Sequence, residues 1–259
     1  MNPRMMLLVG VFGLLMPATN LAQEIPAGTV LPVMMSSDLN SAKAKPGDKL
    51  CGKLMQTVIL ASGERIPAGA PLEGQVVEVA AASANASARL VVRFDQLIAG
   101  QKQFGISVSL RALASMGDVF AAQLPWSTFD DYGTSSSDWN TVQVGGAAVY
   151  RGDGTVRSAM EVIGHATDSG AVTAKLLPDV KRGCAAEPTG SAREQSLWVF
   201  SPWACGTYGF EDLTIARGGS RPMGTIELTA PKEVRVRGGS GWLLQVVEAR
   251  TAGAGGNAK

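Results

Sequence analysis

"EIPAGTVLPVMMSSDLNSAKAKPGDKL" (residues 24–50) and "ERIPAGAPLEGQVVEV" (residues 64–79) share an Ile-Pro-Ala-Gly segment that precedes an apolar, alternating run. Proline fixes its own φ and has no N–H to donate, so it suits the beginning or the edge of a strand. Glycine permits the turn that follows. The repeated segment therefore predicts two strand starts of similar construction. We favour convergent turn chemistry over an old duplication as their origin.

The rest of the chain continues this pattern of short apolar runs between turns. It contains 31 glycines, only 17% of its residues are charged, and Val, Ile and Thr recur in the runs. This composition favours strands over helices. In "FGISVSL" (residues 104–110) the alternation places Phe104, Ile106, Val108 and Leu110 on one side of a strand, and Pro46-Gly47 predicts a type II turn. The sequence predicts a mainly β fold, a sandwich or barrel with an inserted irregular lobe.

The strand pattern is strong at both ends of the chain and weaker in the middle, so we expect both ends to pack together around an inserted middle region. The last residues, "TAGAGGNAK", include no large apolar side chain. The predicted divisions are a signal peptide (1–22), the first half of a β-domain (23–113), an inserted β/loop lobe (114–194), the second half of the β-domain (195–250) and a disordered tail (251–259).

The N-terminus has the features of a secretory signal. Arg4 precedes the apolar run "MMLLVGVFGLLM" (residues 5–16), which is short for a membrane span. We place cleavage after Ala22, although Asn20 is not the small residue usual at that position. An uncleaved membrane anchor is the alternative. We expect an exported protein of the periplasm, outer envelope or extracellular space, with no transmembrane helix in the mature chain.

If the protein is exported, its three cysteines can form a disulfide, because disulfides form in oxidising compartments. Cys184 and Cys205 flank "AAEPTGSAREQSLWVFSPWA" and are predicted to form a disulfide, although the spacing does not exclude the other two pairings. Cys51 is expected to be a small buried residue in a strand.

The composition and the single histidine argue against several functions. The 23 basic and 22 acidic residues leave a net charge of +1, so no nucleic-acid partner is expected. A catalytic triad would have to use His165, with Asp168 near it, but no nucleophile elbow is present. Glu211 and Asp212 are adjacent on a predicted strand, where they would point to opposite faces and could not form a glycosidase pair.

A metal site is not predicted either. One histidine and three cysteines, two of them expected to be bridged, cannot supply a zinc site. Asp130, Asp131 and Asp138 could offer oxygen ligands to calcium, but they lack the spacing of an EF-hand loop. We therefore expect no catalytic residues, no metal and no cofactor.

Two groups of aromatic residues are candidates for recognition. Trp126, Phe129, Tyr132 and Trp139 fall in one polar segment, and exposed rings of this kind stack on sugars or dock proteins. A second group around Cys205 is expected to pack over the disulfide inside the core. The first group is the predicted binding surface, with an envelope protein or a glycan as partner.

Two resemblances extend this interpretation. Residues 25–110 resemble the β-rich C-terminal domain of TrbI-like scaffold proteins of conjugative and type IV secretion channels. The matching positions are Gly28, Thr29, Pro32, Ile66, Pro67, Gly69, Leu72 and Gly74. The whole chain is similar to a group of uncharacterised exported proteins of soil bacteria that share "LRALAS", "TVQVGG", "YRG" and "ACGTYGF". The first resemblance implies a β-protein that takes part in an envelope assembly. The second implies export but brings no known activity.

The expected function is therefore that of an exported, non-catalytic envelope or periplasmic protein that binds a protein partner or assembles. A polysaccharide-acting hydrolase and a carbohydrate-binding module are the alternatives. Paired carboxylates in a cleft would favour the hydrolase. An exposed row formed by Trp126 and Trp139 would favour the carbohydrate-binding module.

Overall fold

The structure is a computed structural model that describes residues 24–124, 140–146, 148–150, 154–158, 160–167, 171–184, 193–216 and 222–247. The protein is mainly β, as its sequence predicts. In chain order the first elements are β1 (Val30–Met35), β2 (Leu39–Asn40), β3 (Lys49–Leu54), β4 (Val58–Ile59), β5 (Arg65–Ile66), β6 (Pro71–Ala80), β7 (Ala88–Ala99), β8 (Lys102–Gly105), β9 (Val108–Ala114) and α1 (Met116–Gln123). They are followed by β10 (Asn140–Val142), β11 (Ala148–Tyr150), β12 (Thr155–Ser158), β13 (Glu161–Ala166), β14 (Val172–Ala174), a 3₁₀ turn (Val180–Arg182), β15 (Gln195–Trp198), β16 (Gly206–Tyr208), β17 (Thr214–Ile215), β18 (Thr225–Ala230), β19 (Arg235–Val236) and β20 (Gly241–Val246).

A ten-stranded mixed sheet forms the body of the molecule. Its strand order is β16-β9-β20-β1-β3-β6-β7-β18-β17, and β8 pairs with β7. The pairing of β16 with β9 is parallel, and β1 pairs with β20 in antiparallel fashion. Strands from the two ends of the chain therefore lie side by side in the interior of the sheet.

The central strands are buried on both faces. In β1, Leu31 and Val33 belong to one hydrophobic cluster, whereas Val30 belongs to a second cluster. In β20, Trp242 and Leu243 divide between the two clusters in the same way. Strands covered on both sides read as nearly continuous apolar runs, and this accounts for the sequences "VLPVMM" and "GWLLQV".

A second sheet covers the outer face of these central strands. It has six antiparallel strands in the order β10-β11-β12-β13-β14-β15. It curls until Val144, after β10, meets the segment that follows β15: the Val144 N–H donates to Val199 O, and the Ser201 N–H donates to Val144 O. The large sheet and this curled sheet give the sandwich-like or barrel-like architecture that the sequence predicts.

The Ile-Pro-Ala-Gly segments prove to be two of four equivalent turns. The turns centre on Gly28, Gly47, Gly69 and Gly239, whose φ values are 82°, 91°, 84° and 83°. In each turn the residue after the glycine donates its N–H to the carbonyl three positions back, which makes a type II turn. Each glycine also donates its N–H to the carbonyl of a residue at or beside a neighbouring strand (in order, Val246, Val76, Leu54 and Met35). The predicted turn at Pro46-Gly47 and the predicted strand starts are confirmed.

Two of these turns belong to arms that are built alike. We call the paired residues of β4 and β5 the β4–β5 arm, and those of β2 and β19 the β2–β19 arm. The registers match, because Val58 faces Ile66 in one arm and Leu39 faces Val236 in the other. The first arm is local in sequence, and the second joins the two ends of the chain.

Several elements differ in detail from the sequence-based expectation. The sequence predicts one strand for each of the runs "KLCGKLMQTVIL" and "KQFGISVSLRALA". The first forms two strands, β3 and β4, and the second divides into β8 and β9. Helix α1 is not predicted by the apolar pattern. It begins after Ser115, whose Oγ accepts a hydrogen bond from the Asp118 N–H at 3.1 Å, and this is the usual role of an N-cap serine.

In the middle region, "AAVYRGDGTVRS" (residues 147–158) predicts a hairpin with its turn at Asp153-Gly154, and the antiparallel pairing of β11 with β12 confirms it. "EVIGHATDSGAVTAKLL" (residues 161–177) predicts two short strands around residues 168–170, and these are confirmed as β13 and β14, which also pair. Strand β15, placed by the sequence in the second half of the β-domain, pairs with β14 and joins the second sheet. The domain boundaries themselves stay a prediction.

The disulfide between Cys184 and Cys205 is confirmed, and the two residues lie 21 positions apart. The expectation for Cys51 is only half correct. It lies in β3, but it is exposed. The reason is the alternation of that strand: Leu50, Gly52 and Leu54 face inward, so Cys51 faces outward.

Replacing Gly69 with alanine tests the turn geometry. Alanine at a φ of 84° has a strained backbone, so Gly69→Ala should lower the free energy of unfolding by about 1–2 kcal/mol in chemical denaturation. Gly105→Ala is the matched control, because Gly105 does not have a positive φ and has open space around its Cα. Equal losses in both variants would contradict this account of the turn.

Removing the disulfide with the double change Cys184→Ser and Cys205→Ser should cost about 3 kcal/mol of stability, because the bridge restricts the unfolded chain. Urea unfolding measures the loss, and Cys51→Ser, at an exposed unbridged position, should change stability by less than about 0.5 kcal/mol. Free thiols at both Cys184 and Cys205 in non-reducing mass analysis would refute the bridge.

A candidate binding groove beside the β4–β5 arm

A substantial candidate site is a groove where the β4–β5 arm meets the second sheet. Its volume is about 670 Å³, and it lies between residues 55–60 on one side and residues 193–196 on the other. Arg65 and Ala68 extend the first wall, and Thr167 and Thr173 extend the second. Clefts between two packed units are common places for ligands and partner segments to bind.

The sequence builds the arm as a small hairpin. The turn Ala61-Ser62-Gly63 is closed by the Leu60 N–H, which donates to Glu64 O at 2.8 Å. Alternation then buries Val58 and Ile66 while leaving Ile59 53% exposed. An exposed isoleucine on the wall of a groove is an apolar surface without cover in the described structure.

Side-chain hydrogen bonds fix the floor of the groove. Gln56 is only 6% exposed; its Oε1 accepts from the Trp198 N–H at 2.7 Å, and its Nε2 donates to Thr173 Oγ1 at 2.9 Å. Ser196 Oγ donates to Thr57 O at 2.8 Å. Because these bonds join the segment that leads into the arm to β14 and β15, they hold the two walls of the groove together.

Trp198 does not line the groove, but it holds Gln56 in place and has an unusual backbone conformation. Its φ is 52°, and it is the one non-glycine residue with a positive φ in the part of the chain that the structure describes. The Phe200 N–H donates to Leu197 O at 2.9 Å, so Trp198 lies inside a tight turn at the end of β15. Burial of its ring and the bond from its N–H to Gln56 hold this costly conformation in place.

The rim of the groove carries charges of both signs. Arg65 lies on the arm, and Arg193 and Glu194 lie just before β15. Glu194 Oε1 is 3.5 Å from His165 Nδ1, and both side chains are well exposed. At the far end of the arm, Lys102 Nζ donates to Glu64 Oε1 at 2.6 Å and ties the arm to β8. The rim can therefore pair with charged groups of a ligand.

The candidates for catalysis do not come together in this groove. Glu194 is the single carboxylate among the described residues that line it. Glu211 and Asp212 lie in a bend before β17 and not on a strand as predicted, and both are exposed. Within the described ranges, no group of His, Cys, Asp and Glu is arranged to hold a metal ion. Asp130, Asp131, Asp138 and Asp168 lie outside those ranges.

The predicted aromatic surface is also outside the described residues. Trp126, Phe129, Tyr132 and Trp139 all fall between residues 125 and 139, so their role as a binding surface stays a prediction.

The second aromatic group packs around the disulfide region. Trp198 and Phe200 are buried, and Tyr208 Oη accepts from the Cys205 N–H at 2.9 Å. The guanidinium of Arg182 lies 4.9 Å from the centroid of the Tyr208 ring, in a cation–π arrangement.

Sequence reasoning missed the groove because "KLCGKLMQTVIL" reads as one strand. The polar pair Gln56-Thr57 within that apolar run was the available signal, since it marks the point where the chain leaves the sheet.

The comparisons with known proteins give no family for this chain. No family model matches it, and no curated protein is detectably similar to it. In the described part of the chain, no helix has the length and apolar character needed to cross a bilayer.

Removing the Gln56 side chain tests the hydrogen-bonded floor. Gln56→Ala leaves the buried Trp198 N–H without its acceptor, so the free energy of unfolding should fall by about 1–3 kcal/mol in urea denaturation. Gln103→Ala makes the same chemical change at an exposed strand position and should have little effect. A Gln56→Ala variant as stable as the wild type would show that the floor does not depend on this side chain.

Proposed function

We propose that this protein is exported and acts without catalysis in the cell envelope or periplasm, where it binds a protein partner through the groove beside the β4–β5 arm. Two features support export: the signal-like pattern of residues 1–22, and the Cys184–Cys205 disulfide, which persists best in an oxidising compartment.

The observation that carries the proposal is the composition of the groove on a fixed floor. Ile59 presents apolar surface, Arg65 and Arg193 present positive charge, and Thr57 and Ser196 add polar groups along the walls. An apolar centre with a polar rim is typical of surfaces that bind proteins. A partner segment that places an apolar side chain against Ile59 and a carboxylate near the arginines would match this pattern.

The same composition gives less support to the alternatives. Sugar-binding sites use aromatic rings as platforms, and among the described residues that line this groove none is aromatic. Glycoside hydrolysis uses two carboxylates across the scissile bond, and the described lining offers one, Glu194. A glycan partner therefore depends on the separate prediction that the aromatic residues between positions 126 and 139 form a binding surface.

The proposal also agrees with what the TrbI-like resemblance of residues 25–110 implies, namely participation in an envelope assembly. That resemblance includes the turn at Gly69, which leads from the β4–β5 arm into β6.

Site-specific photo-crosslinking in the envelope tests this function. A crosslinker at position 59 should join the mature protein to a defined partner protein, and Ile59→Asp should lower recovery of that partner in pull-downs by about fivefold or more, since it places an unpaired charge in the apolar centre of the contact.

Position 180 supplies the control. Val180 is 78% exposed and lies in the 3₁₀ turn, away from the groove, so a crosslinker there and the change Val180→Asp should leave partner recovery unchanged. Equal crosslinking from positions 59 and 180 would contradict the proposal. Retention on a polysaccharide column without a protein partner would support the carbohydrate-binding alternative instead.

A further inference from the structure

A second groove lies beside the β2–β19 arm, and its chemistry differs from that of the first. Its volume is about 600 Å³. The two arms have the same register, so Arg235 of the second arm occupies the position that Arg65 occupies in the first. In place of the second sheet, the other wall is formed by Lys43, Ala44 and the beginning of β3. Each arm therefore lines a groove. The β4–β5 arm does so with the second sheet, and the β2–β19 arm does so with Lys43, Ala44 and the beginning of β3.

Positive charge dominates this second groove. Four cationic side chains line it (Lys43, Lys49, Arg235 and Arg237), together with two carboxylates (Asp38 and Asp48). The chain as a whole has a net charge of only +1, so this concentration of charge is local. A concave surface lined mainly by one sign of charge raises the local concentration of counter-ions.

Both carboxylates are engaged by the backbone. Asp38 Oδ1 accepts from the Gly238 N–H at 2.7 Å, and Asp48 Oδ2 accepts from the Lys45 N–H at 2.8 Å. The Asp48 bond stabilises the turn at Gly47, and the Asp38 bond joins the residues before β2 to the turn at Gly239.

The cations are not neutralised to the same extent. Arg235 pairs with Glu233 at 2.8 Å. Lys43, Lys49 and Arg237 form no ion pair with any residue that the structure describes. Three ammonium or guanidinium groups are thus available to a ligand that enters the groove.

We propose that the groove beside the β2–β19 arm binds an anionic ligand that carries phosphate or carboxylate groups. Lys43, Lys49 and Arg237 contact the anion, and Leu39, Leu50 and Val76 form an apolar base beneath it. Arginine and lysine donate charge-assisted hydrogen bonds to both kinds of oxyanion, which is why the two classes share one site. This site is separate from the proposed protein-binding groove and does not depend on it.

Titration of the mature protein with tripolyphosphate and with citrate, followed through backbone amide shifts in NMR spectra, tests the site. Shifts should concentrate at residues 38–50 and 235–238. Lys43→Ala, Lys49→Ala and Arg237→Ala should each weaken binding by about two- to fivefold, and the triple variant by about tenfold or more. Raising the salt concentration from about 0.05 M to about 0.5 M should also weaken binding.

Lys53→Ala is the matched control. Lys53 lies on the same exposed face of β3 as Lys49 but does not line the groove, so its removal should leave affinity unchanged. Equal losses for Lys49→Ala and Lys53→Ala, shifts scattered over the whole surface, or no binding of either anion would overturn the proposal. Because the replaced side chains are exposed, circular dichroism should show that the variants remain folded.

Phosphatidylglycerol vesicles identify the source of the anion once binding is established. Cosedimentation that the triple variant loses would assign the groove to a lipid headgroup. Binding of the soluble anions without cosedimentation would assign it to a free ligand.

Discussion

The antiparallel pairing of β1 with β20 is the interaction on which the rest of the structure depends. Residues from the beginning and the end of the chain meet there, from Val30 opposite Gln245 to Met34 opposite Gly241. Both strands lie between the two hydrophobic clusters, so their side chains contribute to each. The entropy cost of bringing such distant segments together is repaid because every residue of β20 is buried.

The same pairing explains why the two arms can be alike although one is local and the other is not. In the β4–β5 arm, Leu54 exchanges backbone hydrogen bonds with the turn at Gly69; in the β2–β19 arm, Met35 exchanges the equivalent bonds with the turn at Gly239. Once β1 lies beside β20, the segments beyond them are held as close together as two strands of one hairpin. Identical backbone geometry then carries different side chains, with Ile59 in one arm where Asn40 stands in the other.

The sequence predicts the fold class because the relevant signals are local. Turn residues such as Pro46-Gly47 and alternation from Phe104 to Leu110 act within a few positions. The structure confirms the turn and the burial of the alternating residues, although they are divided between β8 and β9. The outward orientation of Cys51 could also be derived from the strand pattern, since its neighbours Leu50 and Gly52 point inward. The disulfide followed from compartment chemistry and spacing, not from any contact visible in the sequence.

The features that the sequence did not predict depend on contacts between residues that are distant in sequence. Gln56 leaves the ladder of β3 because its amide satisfies the backbone of Trp198, 142 residues away. Helix α1 has only eight residues and buries only Val119 and Ala122, so it leaves little helical periodicity to detect. No window of the sequence contains both members of such contacts. The groove is a product of how the sheets dock, and so it could be found only in the folded structure.

This arrangement separates the frame from the surfaces proposed to recognise ligands. The inward residues of each arm, such as Ile66 and Val236, are buried, and together with the positive-φ glycines of the turns they set the geometry. The outward residues, such as Ile59, Arg65 and Arg237, contribute little to the cores and can vary at small cost in stability. A rigid two-sheet frame with two short, equivalent arms can therefore carry two different binding chemistries, since a change of exposed side chains on one arm leaves the hydrogen bonds of both intact.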